Sequence, residues 1–449
     1  MASKTPDFRI EHDSMGEVRV PADALYGAQT QRAVENFAIG PHRFQTELIR
    51  ALALVKSCAA RANADLGVLP RELATAIEQV ADAIAEGVHR EQFVVDVFQT
   101  GSGTSTNMNA NEVIGRLASA HPNDHVNRSQ SSNDVIPSVI HIAAAVLVFS
   151  RLVPDLEALA GALENRAAAF WDVMKIGRTH LQDATPMRVG QEFGGYAQQV
   201  RSCAERLTLA LDGIYELPLG GTAVGTGVNA PPAFAARTIA LIAERTGLPF
   251  REARNHFEAQ AAKDAVSFLS GALKTCAVAL TKIANDIRWL GSGPRGGLGE
   301  IRLPELQPGS SIMPGKVNPV IPESLLMICA QVIGHDAAIT WGCAAGNFEL
   351  NVMMPVIAYD LLDSIELLSA GVRNFTLRCV NGIEANRDKT GALVEQSLAM
   401  ATALTPAIGY DRAAAIAKEA YETGRTVREV AIEKSGLSTE KIAELLRFD

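Results

Sequence analysis

Eight apolar residues spaced alternately three and four apart, Val266, Leu269, Leu273, Cys276, Leu280, Ile283, Ile287 and Leu290, constrain this chain more than any other feature. A strand would repeat every two residues, so the spacing predicts one helix of about seven turns with an unbroken apolar seam. A seam that long is buried most readily against helices of similar length, in a bundle. Leu361, Ile365, Leu368, Val372 and Phe375 repeat the pattern, which gives at least two long rods packed side by side. Shorter amphipathic faces come earlier, one through Leu48, Leu52, Val55 and Ala59 and another through Leu73, Ile77, Val80 and Ile84. Pro70 and Gly87 bracket the second of these where a helix starts and stops. Alternating strand patterns are scarce, and the expected fold class is all-α, a long-helix bundle.

At 449 residues the chain is too long for one ordinary core, so two or three domains sharing a large interior are expected. With 47% hydrophobic and 20% charged residues it has the apolar material to fill them. A net charge of −9 argues against nucleic acid and anionic membranes as partners, because both need clustered positive charge. A small anionic substrate would therefore need a local cationic site. The six cysteines, Cys58, Cys203, Cys276, Cys329, Cys343 and Cys379, are scattered, with no CxxC pair and no zinc-ligand spacing. They read as buried free thiols in a reducing compartment, which points to the cytoplasm. Met1 to Gly16 mixes acids and bases and lacks the apolar core of a secretory signal. The longest apolar stretch, Ile142 to Phe149, is too short for a membrane span and runs into Arg151, Pro154 and Asp155; it reads as a buried helix.

Polar stretches separate the helical ones: Thr100 to Asn111, His121 to Asp134, Gly177 to Pro186, Leu219 to Asn229, and Gly291 to Asn318. These are the loops in which chemistry is expected. From about Met400 the chain reads as a smaller helical appendage with breaks at Gly409 and Gly436.

The stretch Gly309-Ser310-Ser311-Ile312-Met313-Pro314-Gly315-Lys316-Val317-Asn318-Pro319 gathers two hydroxyls, a cation and an amide among turn-forming residues. A phosphate-binding P-loop has four residues between its glycines and a Ser or Thr after the Lys; here five intervene and Val317 follows. A plain turn would explain the glycines and prolines but not Lys316 beside Asn318. The same stretch resembles the signature of the aspartase/fumarase superfamily. That resemblance implies that Ser310 is the catalytic base, on a mobile loop whose backbone N–H groups and Lys316 would stabilise its alkoxide.

Two further segments extend the likeness. Gly177-Arg178-Thr179-His180-Leu181-Gln182-Asp183-Ala184-Thr185-Pro186 is similar to a second fumarase region. A lone His is more often structural, but here the family implies that His180 acts through a water on the substrate hydroxyl, oriented by Glu323. Thr100-Gly101-Ser102-Gly103-Thr104-Ser105-Thr106-Asn107 and Ser129-Gln130-Ser131-Ser132-Asn133-Asp134 would in isolation read as caps and turns. By resemblance Ser102, Gly103, Thr104, Ser131, Ser132, Asn133, Thr179, Ser311, Lys316, Val317 and Asn318 are implied to bind a small dicarboxylate, and His121, Pro122, Asn123 and Asp124 a second one near the entrance.

The resemblance, which runs from Asp13 to about Ala431, is to class II fumarases, cofactor-free and metal-independent hydro-lyases of the tricarboxylic acid cycle. It implies a homotetramer with a shared central helical core and active sites drawn from three subunits, each subunit built of domains 1–129, 130–387 and 388–449. Aspartases are the nearest alternative, because Val320-Ile321-Pro322-Glu323 fits their version as well. They carry Gln where His180 stands, and Asn where Asp124 stands. A catalytically silent relative is the third reading; Ser310, Lys316, Asn318, His180 and Glu323 together speak against it.

Overall fold

The computed structural model describes residues 7–447, so the first six residues of the Met1–Gly16 stretch lie outside it. The chain forms two compact units, one of Met1–Pro154, Glu205–Ala277 and Ala330–Ser369, the other of Asp155–Ala204, Val278–Cys329 and Ala370–Asp449. Helices dominate both, and the structure is all-α in class.

The first unit opens with an antiparallel hairpin, β1 (Phe8–Asp13) and β2 (Gly16–Pro21), in register from Phe8 opposite Pro21 to Asp13 opposite Gly16. Helices α1 (Ala28–Asn36), α2 (Thr46–Asp65) and α3 (Arg71–Ala85) follow. The α2 face of Leu48, Leu52, Val55 and Ala59 is buried as its spacing predicts, and each large side chain so buried contributes roughly 1.5–3 kcal/mol. α2 packs against α3, against α5 (Ser132–Leu147) and against α8 (Phe234–Thr246). Between α3 and α5 lies α4 (Thr104–Leu117), so residues 104–111, expected in a loop, are the first two turns of a helix. They read as loop because they are polar; they are helical and buried because Thr106 and Asn107 find side-chain partners in Gln99 and Asn127.

α5 does not stop at Arg151. A π-turn at Val148–Leu152 leads directly into α6 (Val153–Ala169). The wider turn makes room for Pro154, which has no N–H to give and whose ring would crowd a regular α-helical ladder. The resulting Ser132–Ala169 rod, with Asp264–Leu290 and Val320–Ala344, is long and apolar enough to cross a membrane on length and composition. Reading only the unbroken run Ile142–Phe149 missed this. In the first rod 78% of the most apolar stretch is buried inside the protein, and in Val320–Ala344 only 39%.

The second unit contains β3 (Met174–Thr179) and β4 (Gln182–Arg188), another antiparallel hairpin that the sequence pattern did not suggest. Four long helices contribute residues to both units: α7 (Val189–Ile214), then, after a short α9 (His256–Ala261), α10 (Asp264–Leu290), α11 (Val320–Ala344) and α12 (Met354–Arg378). All eight seam residues of α10 and all five of α12 are buried. Helical segments from Arg387 onward enclose a core of their own, with Val394, Met400, Leu404, Ile416, Val430 and Ile442 around Ile176 of β3. Its chain turns at Gly409 and Gly436, as expected, and also at Gly424; all three have positive φ.

The six cysteines are free thiols, five of them buried. Burial pushes Cys58 and Cys379 up to about 12 and Cys329 and Cys343 up to about 11, so these thiols stay protonated and unreactive at neutral pH.

Candidate active site

In the first unit the two hydroxyl-rich segments meet. Ser102 Oγ lies 2.7 Å from Thr104 Oγ1, which lies 2.7 Å from Ser132 Oγ. Thr104 and Ser132 are the first residues of α4 and α5, so the positive ends of two helix dipoles abut, an arrangement that favours an anion. Two glycines make the approach possible. Gly101 passes so close to the Val352 carbonyl that a Cβ would collide with it, and Gly103 has φ +73° with Ile136 filling the space a side chain would need. Ser131 caps α5, its oxygen accepting from Asn133 N at 3.2 Å, and Asp134 answers by accepting from Ser131 N at 2.9 Å. The other oxygen of Asp134 accepts from Gly220 N and Thr222 N, tying in the Leu219–Asn229 stretch. Burial raises the Asp134 carboxyl against the lowering effect of these three N–H groups. Asn133 donates to Ala223 O at 2.8 Å.

Beneath this turn lies a residue the sequence reading did not single out. Lys56 of α2 is fully buried and donates to Asn127 Oδ1 and Gln130 Oε1, both at 3.0 Å. Its only sequence signal is a lysine directly after Val55, beside the apolar face of α2.

In the second unit His180 stands at the tip of the β3–β4 hairpin. Thr179 pairs with Gln182, so the loop is the two residues His180 and Leu181, with φ 57° and 60°. A two-residue loop with both φ positive matches strand twist but strains non-glycine residues. That strain presents an exposed imidazole on a rigid stalk, with Thr179 also exposed beside it. The stalk is anchored by charge: Arg178 makes a two-pronged pair with Glu300, 2.9 Å on each arm, and Lys175 lies 3.0 Å from Glu192 and 3.6 Å from Glu300. Glu300 is fully buried. Neither acid was marked by sequence; Glu300 in particular pairs with residues more than a hundred positions away.

The Gly309–Asn318 loop closes on itself. Gly309 N donates to Lys316 O at 2.7 Å and Asn318 Nδ2 to Gly309 O at 2.6 Å. A Cβ at Gly309 would sit 2.5 Å from Lys316 O and 2.7 Å from Asn318 N, so only glycine fits. Lys316 Nζ donates to Asn318 Oδ1 at 2.7 Å. Ser310 Oγ accepts from two backbone donors, Met313 N at 3.0 Å and Ile312 N at 3.3 Å. These N–H groups favour the charged form of the oxygen they face. Ser311 and Val317 are exposed on the same loop. Glu323 lies in the first turn of α11, 4.0 Å from Arg288. Among the described residues no hydrogen bond or ion pair joins His180 to Glu323 or to Ser310.

His121, Pro122 and Asn123 line a cavity of about 480 Å³ in the first unit, together with Tyr26 and Arg116. His121 Nδ1 accepts from Asp124 N at 3.0 Å, while Asp124 itself is exposed and is not part of the lining. Arg116, the one arginine or lysine in the cavity lining, is 3.1 Å from Glu11. Among the described residues no group of three or more His, Cys, Asp or Glu side chains could hold a metal ion.

Long-helix architecture and a serine-bearing glycine loop define a lyase. Residues 16–334 match the family model described as lyase, and residues 400–449 that of the fumarase C C-terminus. The chain is 52% identical to the fumarate hydratase class II of Thermosynechococcus vestitus, covering 99% of this chain and 98% of that one. It is 54% identical to that of Mycobacterium tuberculosis, over 95% and 92%. The crystal structure of recombinant class II fumarase from Schistosoma mansoni matches with a TM-score of 0.95 at 39% identity, covering 98% of each chain. This chain belongs to the lyase family and, within it, to the class II fumarases.

Proposed function

We propose that this protein is a fumarate hydratase, a hydro-lyase that adds water reversibly across the double bond of fumarate to give L-malate. The observation that carries the reading is the Ser310 oxygen, held by two backbone N–H groups on a loop that also carries the Lys316–Asn318 pair. Taking a proton from C3 of malate puts a second negative charge on the adjacent carboxylate. Groups that bind this doubly charged intermediate more strongly than the ground state lower the barrier. Ser310 takes the C3 proton, and Lys316, Asn318 and loop N–H groups stabilise the charge that develops. His180 protonates the departing hydroxyl through a water on the opposite face, with Glu323 orienting the imidazole. The hydroxyl cluster of Ser102, Thr104, Ser131, Ser132 and Asn133, with Thr179, holds the carboxylates.

The proposal includes the assembly. Each active site takes its three constellations from three subunits of a homotetramer, whose central core is formed by the long helices. Support comes from α11, where Met327 and Trp341 are exposed apolar side chains on a mostly unburied helix. That no hydrogen bond or ion pair among the described residues joins His180 to Glu323 within one chain agrees with their meeting across subunits. Three domains, 1–129, 130–387 and 388–449, belong to the same reading, supported by the separate core around Val394–Leu446. So does a cytoplasmic location, for which the free thiols speak. His121–Asp124 completes the reading as a second dicarboxylate site, beside a cavity whose Arg116 is paired with Glu11.

Ultraviolet absorbance of the purified protein, mixed with malate and separately with aspartate in the presence of a chelator, tests the activity. Fumarate formed from malate alone is expected. Fumarate from aspartate would make it an ammonia-lyase, and none from either a silent relative.

A further inference from the structure

We propose that Lys56 is a positioning residue for the hydration reaction, holding the Asn127–Asn133 turn from below and lending its positive charge to the dicarboxylate that Ser131, Ser132 and Asn133 bind. The inference rests on the functional reading above.

A buried ammonium group usually sits against a carboxylate, because an unpaired charge is costly to take out of water. Lys56 instead donates to two neutral amide oxygens, Asn127 Oδ1 and Gln130 Oε1. Asn127 Oδ1 also accepts from Asn107 and Asn111 of α4, both at 3.2 Å. Gln130 in turn donates to Val126 O and Arg128 O, and Asn127 donates to Gln130 O. Two helical turns further along α2, Asn63 donates to Arg128 O at 2.9 Å and accepts from Ser129 Oγ at 2.7 Å. α2 thus grips the turn at two points, around a Ser129 held at φ 63°. Ser131 caps α5 immediately afterwards, so where its hydroxyl and those of Ser132 and Asn133 point follows from this grip.

The charge has a direction to act in. The charge of Asp134 favours the Lys56 ammonium, and both its oxygens are committed to backbone N–H groups. On α3 and α8, which also pack on α2, Asp82 and Arg245 pair with each other at 2.8 Å, and on α4 the buried Glu112 is committed to Gly27 N, Gln29 N and Thr30 Oγ1. An ammonium and two helix N-termini against one carboxylate leave a net positive balance around the hydroxyls, which suits a dianion. Burial brings the Lys56 ammonium down to about 7, so its charge is present below that pH and lost above it. A dianion bound above it restores the proton, and binding therefore weakens as pH rises through 7.

Succinate, which cannot react, is the probe, and its binding is followed by calorimetry from about pH 6 to about pH 9 in the His180→Asn protein, where no imidazole titrates at position 180. The dissociation constant is expected to rise by up to about tenfold per pH unit above 7. Lys56→Met in that background should weaken binding about tenfold or more at pH 6 and remove the slope. A folded Lys56→Met protein that keeps the slope overturns the proposal, even if its melting temperature has dropped, because that is what a purely structural lysine would give. If Lys56→Met does not fold, the slope of the His180→Asn protein decides alone, and a flat profile above pH 7 overturns it. Absence of fumarate turnover in the unsubstituted protein would fail the functional reading itself; turnover with an unchanged slope fails only Lys56.

Discussion

Serine is a weak base in water, and the setting of Ser310 is what makes the assignment physical. Two N–H groups already point at its oxygen before any substrate is present, so less reorganisation is needed when the alkoxide forms. Ser310→Ala should therefore lower turnover by on the order of a thousandfold or more, with an unchanged melting temperature; a fully active variant would reject the base. Gly309→Ala tests the loop without touching the chemistry. Its Cβ would meet Lys316 O and Asn318 N, forcing the closure apart, and a misplacement of that size costs about a hundredfold in kcat. Stability should hardly move, because the loop beyond it is exposed. At this scale the sequence was legible wherever function is linear: Ser310, Lys316 and Asn318 lie within nine residues. It was silent on Lys56, since a lysine in a helix normally reaches solvent and nothing local says otherwise.

Among the elements, the long rods were read correctly because a seam of three-four spacing has few alternatives. The β3–β4 hairpin was not. Its strands are six and seven residues long, a bulge displaces the register between Ile176 and Arg178, and its turn lacks the Asn-Gly or Asp-Gly that usually marks one. A glycine is needed at the bulge, where a Cβ on Gly177 would come 2.9 Å from Thr185 O. His180 and Leu181 take the positions glycine would prefer, and the cost is met by the Arg178–Glu300 anchor below. Leu181→Gly should stabilise the protein by roughly 1 kcal/mol in denaturant unfolding while loosening the stalk. Glu300→Ala should destabilise it by about 3–5 kcal/mol, since it strips the largely buried Arg178 of its two-pronged partner and leaves Lys175 with Glu192 alone. A loss below 1 kcal/mol would show that the pairs contribute little.

At the scale of the whole molecule, no hydrogen bond or ion pair among the described residues joins His180 to Ser310 or Glu323, and α11 is largely uncovered; the proposed assembly would answer both. If the proposed tetramer packs on α11, Met327→Glu should break it in light scattering and remove activity with it. Sequence points to an assembly only through family resemblance, because apolar residues that would face another subunit look the same as those that face the interior. The most direct test mixes two inactive proteins, Ser310→Ala and His180→Asn, after reversible dissociation. If the serine of one subunit works with the histidine of another, random assortment leaves about a quarter of the sites with both groups intact, and that share of activity should return. Hybrids no more active than their parents would contradict a site shared between chains.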